Sequence, residues 1–370
     1  MKITTVYILA VVLLALPAYA LTAEQNTSAR FMKTGSERMK AGDYRAAREA
    51  FEEAIRYNDG DAAAHLGLGM AFFHLRDDKY AERELTKAAE LDPNGAAAYQ
   101  LLGELYYRKD DLETAASYWE KAVTLNPSAA GLRARLERIR RENSTEKDFN
   151  RDVTSHFLTK YEGRERIEAG RIVLRILEDA YGVVGRGLSY YPDREIQVIL
   201  YSGRQFQDVT DAPGWSGGIY DGKIRIPIGG IEQETPGLRR LLYHEYTHAV
   251  VLSITPRVPT WLNEGLAQYF EGKEPDDRQK DALGKIARAG KLPSLSNLEG
   301  SFMGLNNNQA TYAYLFSLSS VRYMIDTLGM YRVKSVLDEL AAGADVAKAI
   351  GNGTTLSYEE LDRGWKRSLE

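Results

Sequence analysis

The sequence from residue 241 to residue 251 is LLYHEYTHAVV, and it contains the two histidines on which the fold assignment depends. The segment has no glycine or proline, and its apolar residues are compatible with a buried helix. On a helix, His244 and His248 lie one turn apart on the same face, so both imidazoles can reach one ion. Glu245 would project beside that ion, where it can take a proton from water at the metal. Two histidines buried for packing alone are the alternative interpretation.

The third ligand is predicted in the segment PTWLNEGLAQY at residues 259–269. Since the chain contains no cysteine, a metal site must use histidines and carboxylates. A helix is predicted to begin near Trp261, with Thr260 as its N-cap. Glu264 would lie in the first turns of this helix, where a carboxylate suits the helix dipole and can face the first helix. A surface acid near a helix start, with no role at a metal, is the alternative for Glu264.

The two segments together resemble the gluzincin signature, with HEYTH at residues 244–248 followed by WLNEGLA at 261–267. The form is close to that of aminopeptidase-N-like enzymes and closest to that of the bacterial peptidase MA-like family, in which a tetratricopeptide array often precedes the catalytic domain. The resemblance extends from about Ser155 to the C-terminus and includes GIYDGKIRIP at 218–227. It implies an α+β, thermolysin-like domain that hydrolyses peptide bonds.

Carried over residue by residue, the resemblance makes His244, His248 and Glu264 the ligands of Zn²⁺ and Glu245 the general base. This chain departs from the pattern in two respects. Glu264 follows His248 by 16 positions, fewer than in thermolysin or aminopeptidase N, so the link between the two helices must be tight. The sequence also lacks a Gly-x-Met-Glu-Asn element, with which aminopeptidases hold a free amine, so exopeptidase action is not supported.

A tyrosine is expected to stabilise the oxyanion, because tyrosine does so in several gluzincins and such electrostatic help is often the largest catalytic contribution. In TYAYL at residues 311–315, Tyr314 stands where similar sequences place a tyrosine before a helix, and Tyr312 is its rival. An aromatic residue that only packs is the alternative for Tyr314.

Residues 223–228 alternate polar and apolar side chains, which predicts a strand, and Pro227 predicts that this strand lies at a sheet edge. Such a strand beside the metal could pair with the backbone of an extended peptide, and Gly217, Gly218 and Gly222 would let that backbone approach closely. A plain hairpin without substrate contact is the alternative.

The other elements of this domain are predicted from hydrophobic periodicity. His156 is expected in a first strand and is interpreted as structural rather than as a metal ligand. The further predicted elements are an amphipathic helix at 167–181, a buried strand at 195–201, and helices at 317–327 and 331–342.

The N-terminal part repeats with a period of 34 residues, which indicates a helical repeat array. Small residues, large residues and terminal helix breakers recur at this spacing and describe stacked helix-turn-helix hairpins. The equivalent positions are Gly35, Gly69 and Gly103; Ala47, Ala81 and Ala115; Phe51, Leu85 and Trp119; Ala54, Ala88 and Ala122; and Asp59, Pro93 and Pro127. The segments LDP at 91–93 and LNP at 125–127 resemble the ends of tetratricopeptide repeats.

Stacked hairpins of this type form a concave groove that usually binds a peptide or a protein, so a protein partner is expected there. A spacer or an oligomerisation element is the alternative. The predicted boundaries are repeats at about 28–61, 62–95 and 96–129, a capping helix at 130–142, a polar break at 143–145, an array over 21–145 and a peptidase domain over 146–370.

The first twenty residues have the pattern of a secretory signal, with Lys2, an apolar run from Val6 to Leu16, and a cleavage site expected after Ala20. The run is too short to span a bilayer comfortably. We therefore expect an exported protein, periplasmic or secreted, with no stable membrane span after cleavage; an uncleaved anchor is the alternative. The net charge of −4 does not indicate a nucleic-acid partner, and the basic run at 133–141 is interpreted as a solvated helix face.

These features predict an all-α tetratricopeptide solenoid followed by a zincin-like domain that acts as a zinc-dependent peptidase on envelope or extracellular proteins and peptides. The alternative function is a repeat scaffold or chaperone whose peptidase domain is inactive or of minor activity, and the intact Glu245 argues against it. An envelope protease and chaperone of the membrane quality-control type is a second alternative. The domain order argues against that class, because its members carry the repeats after the catalytic domain.

Overall fold

The computed structural model describes residues 24–163, 166–210, 217–228 and 231–370. Their contacts divide them into two compact units, with the division between Ser144 and Thr145. The predicted signal segment, residues 1–20, lies outside the described residues. Among the described residues, no helix combines the length and the apolar composition that a bilayer span requires.

The first unit consists of helices paired in sequence order, as the repeat predicts. Each pair is closed by a turn of a few residues, and the N-caps Asp43, Asp61 and Asp111 accept hydrogen bonds from backbone N–H groups of the helices that follow them. The helices are α1 over 24–41, α2 Tyr44–Tyr57, α3 Ala62–His74, α4 Asp78–Leu91, α5 Ala96–Arg108, α6 Leu112–Leu125 and α7 Ala130–Glu146.

The glycines that recur every 34 residues lie where the two helices of a pair come closest. A Cβ atom on Gly35 would lie 2.7 Å from the ring of Phe51, and one on Gly69 would lie 2.7 Å from the side chain of Leu85. On Gly103 it would overlap the indole of Trp119. Each large side chain therefore fills the space that its glycine leaves open, which confirms the repeat fold.

The predicted polar break at 143–145 is wrong, because helix α7 continues through it to Glu146. Asn143, Ser144 and Thr145 are weak helix formers rather than helix breakers, and the Ser144 hydroxyl donates a hydrogen bond to the carbonyl of Arg141 inside the helix. The division between the two units therefore falls within a helix.

The basic run at 133–141 lies on the exposed face of α7. Leu132, Leu136 and Ile139 are buried on the opposite face. On the exposed face, Arg135 forms an ion pair with Glu104, and Arg140 pairs with Glu120 at 2.6 Å. These charges belong to a solvated helix surface, in agreement with the sequence-based interpretation.

The second unit is built around a five-stranded sheet in the order β1-β2-β3-β5-β4. The central strands β2, β3 and β5 are parallel, and the outer strands β1 and β4 pair antiparallel with their neighbours. The strands are β1 Asn150–Val153, β2 Phe157–Tyr161, β3 Ile196–Tyr201, β4 Ile219–Tyr220 and β5 Ile224–Pro227.

Two strand predictions need correction. Residues 223–228 do contain a strand, but β5 lies between β3 and β4 rather than at the edge. Pro227 is tolerated because it is the last residue of β5, beyond the two residues paired with β4. His156 precedes β2 instead of lying in a first strand; its Nδ1–H donates to Glu178 at 2.6 Å, so its role is structural.

The helices of the second unit pack around this sheet and around one another. Helix α8 is the crossover between the parallel strands β2 and β3, and it is longer than the predicted 167–181. The helices are α8 Ile167–Leu188, α9 Gly203–Thr210, α10 Pro236–Ile254, α11 Thr260–Phe270, α12 Asp277–Arg288, α13 Asn307–Leu328, α14 Met330–Ala341, α15 Val346–Thr354 and α16 Tyr358–Ser368. Two short 3₁₀ turns, Leu295–Leu298 and Phe302–Gly304, join α12 to α13.

Candidate metal centre

Helix α10 carries the predicted ligands His244 and His248. Its start is fixed by Pro236 in the first turn and by the Thr235 hydroxyl, which accepts a hydrogen bond from the Leu238 N–H. The helix is anchored in the core by a buried face that includes Leu242, Tyr246, Ala249 and Val250. This packing fixes the rotation of α10 and with it the direction of both histidines.

Helix α11 brings Glu264 against α10. The helix begins at Thr260, and Pro259 occupies the N-cap position instead of the predicted Thr260. Leu262 and Leu266 are fully buried, and Gly265 lies so close to α13 that a Cβ atom would overlap the carbonyl of Ser317. Glycine is therefore required at position 265 for α11 to pack at this depth.

The three predicted ligands converge on one point. The Nε2 atoms of His244 and His248 each lie 3.6 Å from Oε2 of Glu264, and the ligand atoms of all three residues lie within 4.8 Å of one another. Ligand atoms of a tetrahedral zinc with bonds of about 2.0–2.1 Å stand about 3.3–3.4 Å apart. Oε2 of Glu264 is also buried without a hydrogen-bond partner among the described residues. The donor set and its spacing therefore fit a divalent metal ion.

Glu271 is a member of the site that the sequence analysis missed. The Nδ1–H of His244 donates a hydrogen bond to Oε2 of Glu271 at 3.0 Å, which directs Nε2 towards Glu264, where a metal ion would replace the Nε2 proton. Glu271, the C-cap residue of α11, follows Glu264 by seven positions, so two helical turns place both carboxylates on one side of the helix. That spacing is the signal in the sequence that could have identified it.

The carboxylates around His244 and the burial of the site set the protonation states. Burial acts to lower the pKa of His244, but the neighbouring carboxylates of Glu264 and Glu271 outweigh it and raise the pKa to about 10. Burial acts to raise the pKa of Glu264, but its neighbouring histidines hold it below the usual value. For His248, burial lowers the pKa. The pocket is therefore arranged to keep Glu264 ionised.

Glu245 lies beside the three ligands and is almost fully buried, at 6% exposed. Burial raises the pKa of its carboxyl group to about 7, with the positive charge of His244 acting against this rise and the negative charge of Glu264 adding to it. A buried carboxylate with a raised pKa is suited to exchange protons near neutral pH.

Tyr314 lies within helix α13, not before a helix as predicted. The helix begins earlier than the predicted residue 317 because Asn306 and Gln309 form a capping box. The backbone carbonyl of Tyr314 accepts a 2.8 Å hydrogen bond from Gln268 of α11. Burial raises the pKa of the phenol to about 12, and the negative charges of Glu264 and Glu245 add to this effect, so the phenol lies in the field of the site.

Tyr312, the rival of Tyr314, has different surroundings. Its ring stacks on Phe316 with centroids 5.9 Å apart, and the residue is 41% exposed. The two tyrosines are separated by about 200° around a helix of 3.6 residues per turn. They therefore point to different sides of α13, and Tyr314 is the one associated with the acids of the candidate centre.

Comparison with known proteins assigns both halves of the chain to families. Residues 188–370 match the model of the Peptidase MA superfamily, and residues 32–82 and 96–129 match models of the tetratricopeptide repeat. No curated protein matches the chain. The Peptidase MA match contains helices α10, α11 and α13 with all the site residues. Strands β1 and β2 and most of α8 precede this match, although they belong to the same compact unit.

Three solved structures that resemble this chain each cover about a third of it. The first tetratricopeptide domain of human RPAP3 is 19% identical, with 33% of this chain and 97% of that chain covered and a TM-score of 0.32. The Arabidopsis OM64 tetratricopeptide domain is 24% identical, with 32% and 97% covered and a TM-score of 0.31. The Yersinia enterocolitica secretion chaperone SycD, in complex with a YopD peptide, is 19% identical, with 33% and 95% covered and a TM-score of 0.31.

The family match lies within the compact unit in which two histidines and a glutamate meet. Residues 188–370 of this chain are a Peptidase MA superfamily domain, and tetratricopeptide repeats precede it.

Proposed function

We propose that this protein is a zinc-dependent peptidase that hydrolyses peptide bonds in envelope or extracellular proteins and peptides. The observation that supports this most is the convergence of His244, His248 and Glu264 within 4.8 Å, with Glu245 next to them. The family match supports a peptidase independently of this geometry. Zinc is proposed because two imidazoles and one carboxylate, without any thiolate, are its ligand set in this class of catalytic site.

In this proposal each side chain has a separate role. A zinc ion held by the three ligands would polarise the scissile carbonyl and lower the pKa of water. Glu245 accepts a proton from the attacking water while the water oxygen bonds to the carbonyl carbon. It then donates that proton to the leaving amine as the C–N bond breaks. Glu271 holds His244 in the tautomer that directs Nε2 to the metal. Tyr314 donates a hydrogen bond to the carbonyl oxygen as negative charge develops there.

The start of strand β4 offers a place for an extended substrate. Ideal Cβ atoms on Gly217 and Gly218 would contact Leu241 of α10 at 3.4 and 3.3 Å, one helical turn before the candidate base Glu245. Strand β4, Ile219–Tyr220, is the outermost strand on this side of the described sheet. We propose that the backbone of an extended substrate passes beside Gly217 and Gly218 at the start of β4, instead of beside the predicted residues 223–228.

We also propose that the repeats bind a protein partner and that the chain is exported. The repeat matches support an interaction role, because arrays of this kind expose a concave surface. Export is supported by the signal pattern in residues 1–20 of the sequence. N-terminal sequencing of the mature chain tests export, with cleavage after Ala20 as the expected result.

The function is tested by metal analysis together with hydrolysis of a peptide mixture. The wild type should bind one zinc per chain and cleave peptides. Glu245→Gln should keep the zinc and lose at least 10²-fold in kcat, since the general base is removed while the ligands remain. His244→Ala should lose zinc and activity together, and His156→Ala, a histidine outside the site, should keep both. Unchanged hydrolysis by zinc-loaded Glu245→Gln would refute the base assignment.

The alternative of an inactive repeat scaffold gives a different outcome in the same experiment. Zinc-loaded wild type would then cleave no peptide in the mixture, while partners captured through the repeats would be unaffected by Glu245→Gln. An inactive scaffold would not need Glu245 as a base of raised pKa beside three converging ligands. We therefore prefer the peptidase.

A further inference from the structure

The second unit contains an apolar cavity of about 590 Å³ that is separate from the candidate metal centre. Its walls come from α12, from the two 3₁₀ turns and from the first half of α13. The volume lies within the range of about 300–1,000 Å³ that is typical of ligand sites. The cavity is therefore large enough for more than one amino-acid side chain.

The chemistry of the wall is apolar with a single charge. Ile286, Leu298, Phe302 and Phe316 contribute carbon surface. Lys291 is the one charged residue among the described residues that line the cavity, and it is exposed and forms no ion pair with any other described residue. A ligand suited to this wall has apolar groups and a neighbouring negative charge.

Apolar side chains are exposed along the segment that forms part of the cavity wall. Leu305 and Tyr312 line the cavity and are 37% and 41% exposed, and Met303, which does not line it, is 88% exposed. Leu305 and Tyr312 therefore connect the apolar wall to the protein surface.

The cavity and the candidate metal centre share a wall. The ring of Phe302, which lines the cavity, packs edge-on against the ring of Tyr314 with centroids 5.6 Å apart. Tyr314 is the phenol whose pKa is raised by burial and by the charges of Glu264 and Glu245. Helix α13 thus presents Tyr314 towards the acids, and Tyr312 and Phe316 to the cavity.

We propose that this cavity is a substrate subsite, which binds apolar side chains of the polypeptide near the bond to be cut, and that Lys291 pairs with a carboxylate of the same polypeptide. The proposal rests on the proposed function for its substrate class. Apolar side chains stabilise binding through the area that they remove from water, about 25 cal/mol per Å². An unpaired lysine at the mouth favours a neighbouring acidic residue or a free C-terminus over a basic residue.

The test uses two matched pairs of variants. Asn308 is exposed and lines the cavity, so Asn308→Trp should obstruct it without loss of folding, whereas Asn307→Trp places the same ring on a neighbouring residue that does not line it. Lys291→Glu reverses the charge at the mouth, and Lys280→Glu makes the same change on an exposed lysine elsewhere on the surface. Leu305→Asp places a negative charge on the apolar wall without adding bulk, and so weakens the binding of apolar side chains in a second way.

The probes are quenched peptides that differ only in a Leu-Phe or a Ser-Ser pair, each with a free or an amidated C-terminus and with or without an internal Asp. We expect kcat/KM of the zinc-loaded wild type to favour Leu-Phe by at least tenfold. Asn308→Trp and Leu305→Asp should remove this preference through KM, and Asn307→Trp should keep it. The wild type should prefer a free to an amidated C-terminus, or a peptide with an internal Asp to one without it. Lys291→Glu should abolish this preference, and Lys280→Glu should leave it unchanged.

Binding to Glu245→Gln, measured by fluorescence anisotropy, separates this proposal from the proposed function. A Kd for the Leu-Phe peptide that rises at least tenfold on adding Asn308→Trp supports the subsite even if the wild type cleaves nothing. Equal cleavage of both peptides, with a Kd insensitive to Asn308→Trp, overturns the subsite and leaves the peptidase intact. Binding of dodecanoate that the Leu-Phe peptide does not displace also overturns it, because the cavity would then be a lipid site.

Discussion

At the scale of single residues, the candidate centre depends on which nitrogen of each histidine carries a proton. For His244 the answer is given by Glu271, whose carboxylate accepts the Nδ1–H at 3.0 Å. For His248 the buried Nδ1 has no hydrogen-bond partner among the described residues, and neither does the buried Oδ1 of Asn263. The two histidines therefore differ in their surroundings: His244 hydrogen-bonds a charged partner, whereas the polar neighbour of His248 is the neutral amide of Asn263.

Glu271→Gln removes the charge behind His244 but keeps a side chain of the same size. We expect zinc affinity to fall about 10–100-fold, as is typical when the outer partner of a metal-bound histidine is lost. The melting temperature of the metal-free protein should change little. Zinc titration against a chromogenic chelator measures the affinity. Glu274→Gln, an exposed acid three residues away that pairs with Arg322, is the control and should bind zinc as the wild type does.

The residues that the sequence predicts best are those fixed by local geometry. His244 and His248 follow from a four-residue spacing on one helix, and Glu264 from its place in the first turns of the next. The orientation of Glu271 depends on how α11 packs against α10, and the surroundings of Tyr314 depend on where α13 begins. These are properties of tertiary packing, so the spacing of residues in the sequence could only suggest them.

At the scale of elements, the site depends on the depth to which α11 packs between α10 and α13. Gly265 sets this depth, since its α carbon lies against the backbone of α13 at Ser317. Gln268 then joins α11 to α13 by donating to the carbonyls of Glu264, within α11, and Tyr314, on α13. One small residue and one amide thereby hold the third ligand and the candidate oxyanion donor on adjacent helices.

Gly265→Ala tests this packing. The added methyl group would overlap backbone atoms of α13, so the helices must move apart, at a cost of about 1–3 kcal/mol in the free energy of unfolding. Zinc affinity should fall as well, because Glu264 lies on the displaced helix. Urea unfolding and zinc titration measure the two effects. Gly351→Ala on α15 has open space for its methyl group and should be neutral or slightly stabilising.

The sheet shows why strand order is harder to predict than helices. The alternation at 223–228 identifies β5 correctly, but its inner position is created by β4, a strand of only two residues. A two-residue strand is too short for its alternation to be recognised. Pro227 suggests an edge strand, because the sequence does not show that this proline is the last residue of β5. The repeat array, by contrast, is recognised from three copies of one pattern. The end of its last helix, α7, lies later than predicted.

At the scale of the whole molecule, two units that are each compact carry two kinds of chemistry. The repeat unit holds its helices together by apolar packing around residues such as Trp119 and Leu85. The peptidase unit carries the candidate metal ligands on α10 and α11, and those helices belong to the main core of that unit. Metal binding should therefore stabilise the peptidase unit selectively.

Zinc that binds only the folded state raises the free energy of unfolding by about 2.7 kcal/mol at a free concentration of 100 times its Kd. Calorimetry should accordingly show a higher melting temperature for the peptidase unit in zinc than in a chelator. His244→Ala should melt at the same temperature in both solutions. A wild-type protein whose melting is indifferent to the chelator would show that no ion contributes to the fold.

The most direct test of the whole account is a crystal of the wild type grown with one equivalent of zinc, with an anomalous difference map calculated from data at the zinc absorption edge. The account predicts one peak at about 2.0–2.1 Å from Nε2 of both His244 and His248, with a carboxylate oxygen of Glu264 as the third protein ligand. A map in which the peak lies elsewhere, or in which the Glu264 carboxylate is turned away from both imidazoles, would contradict it.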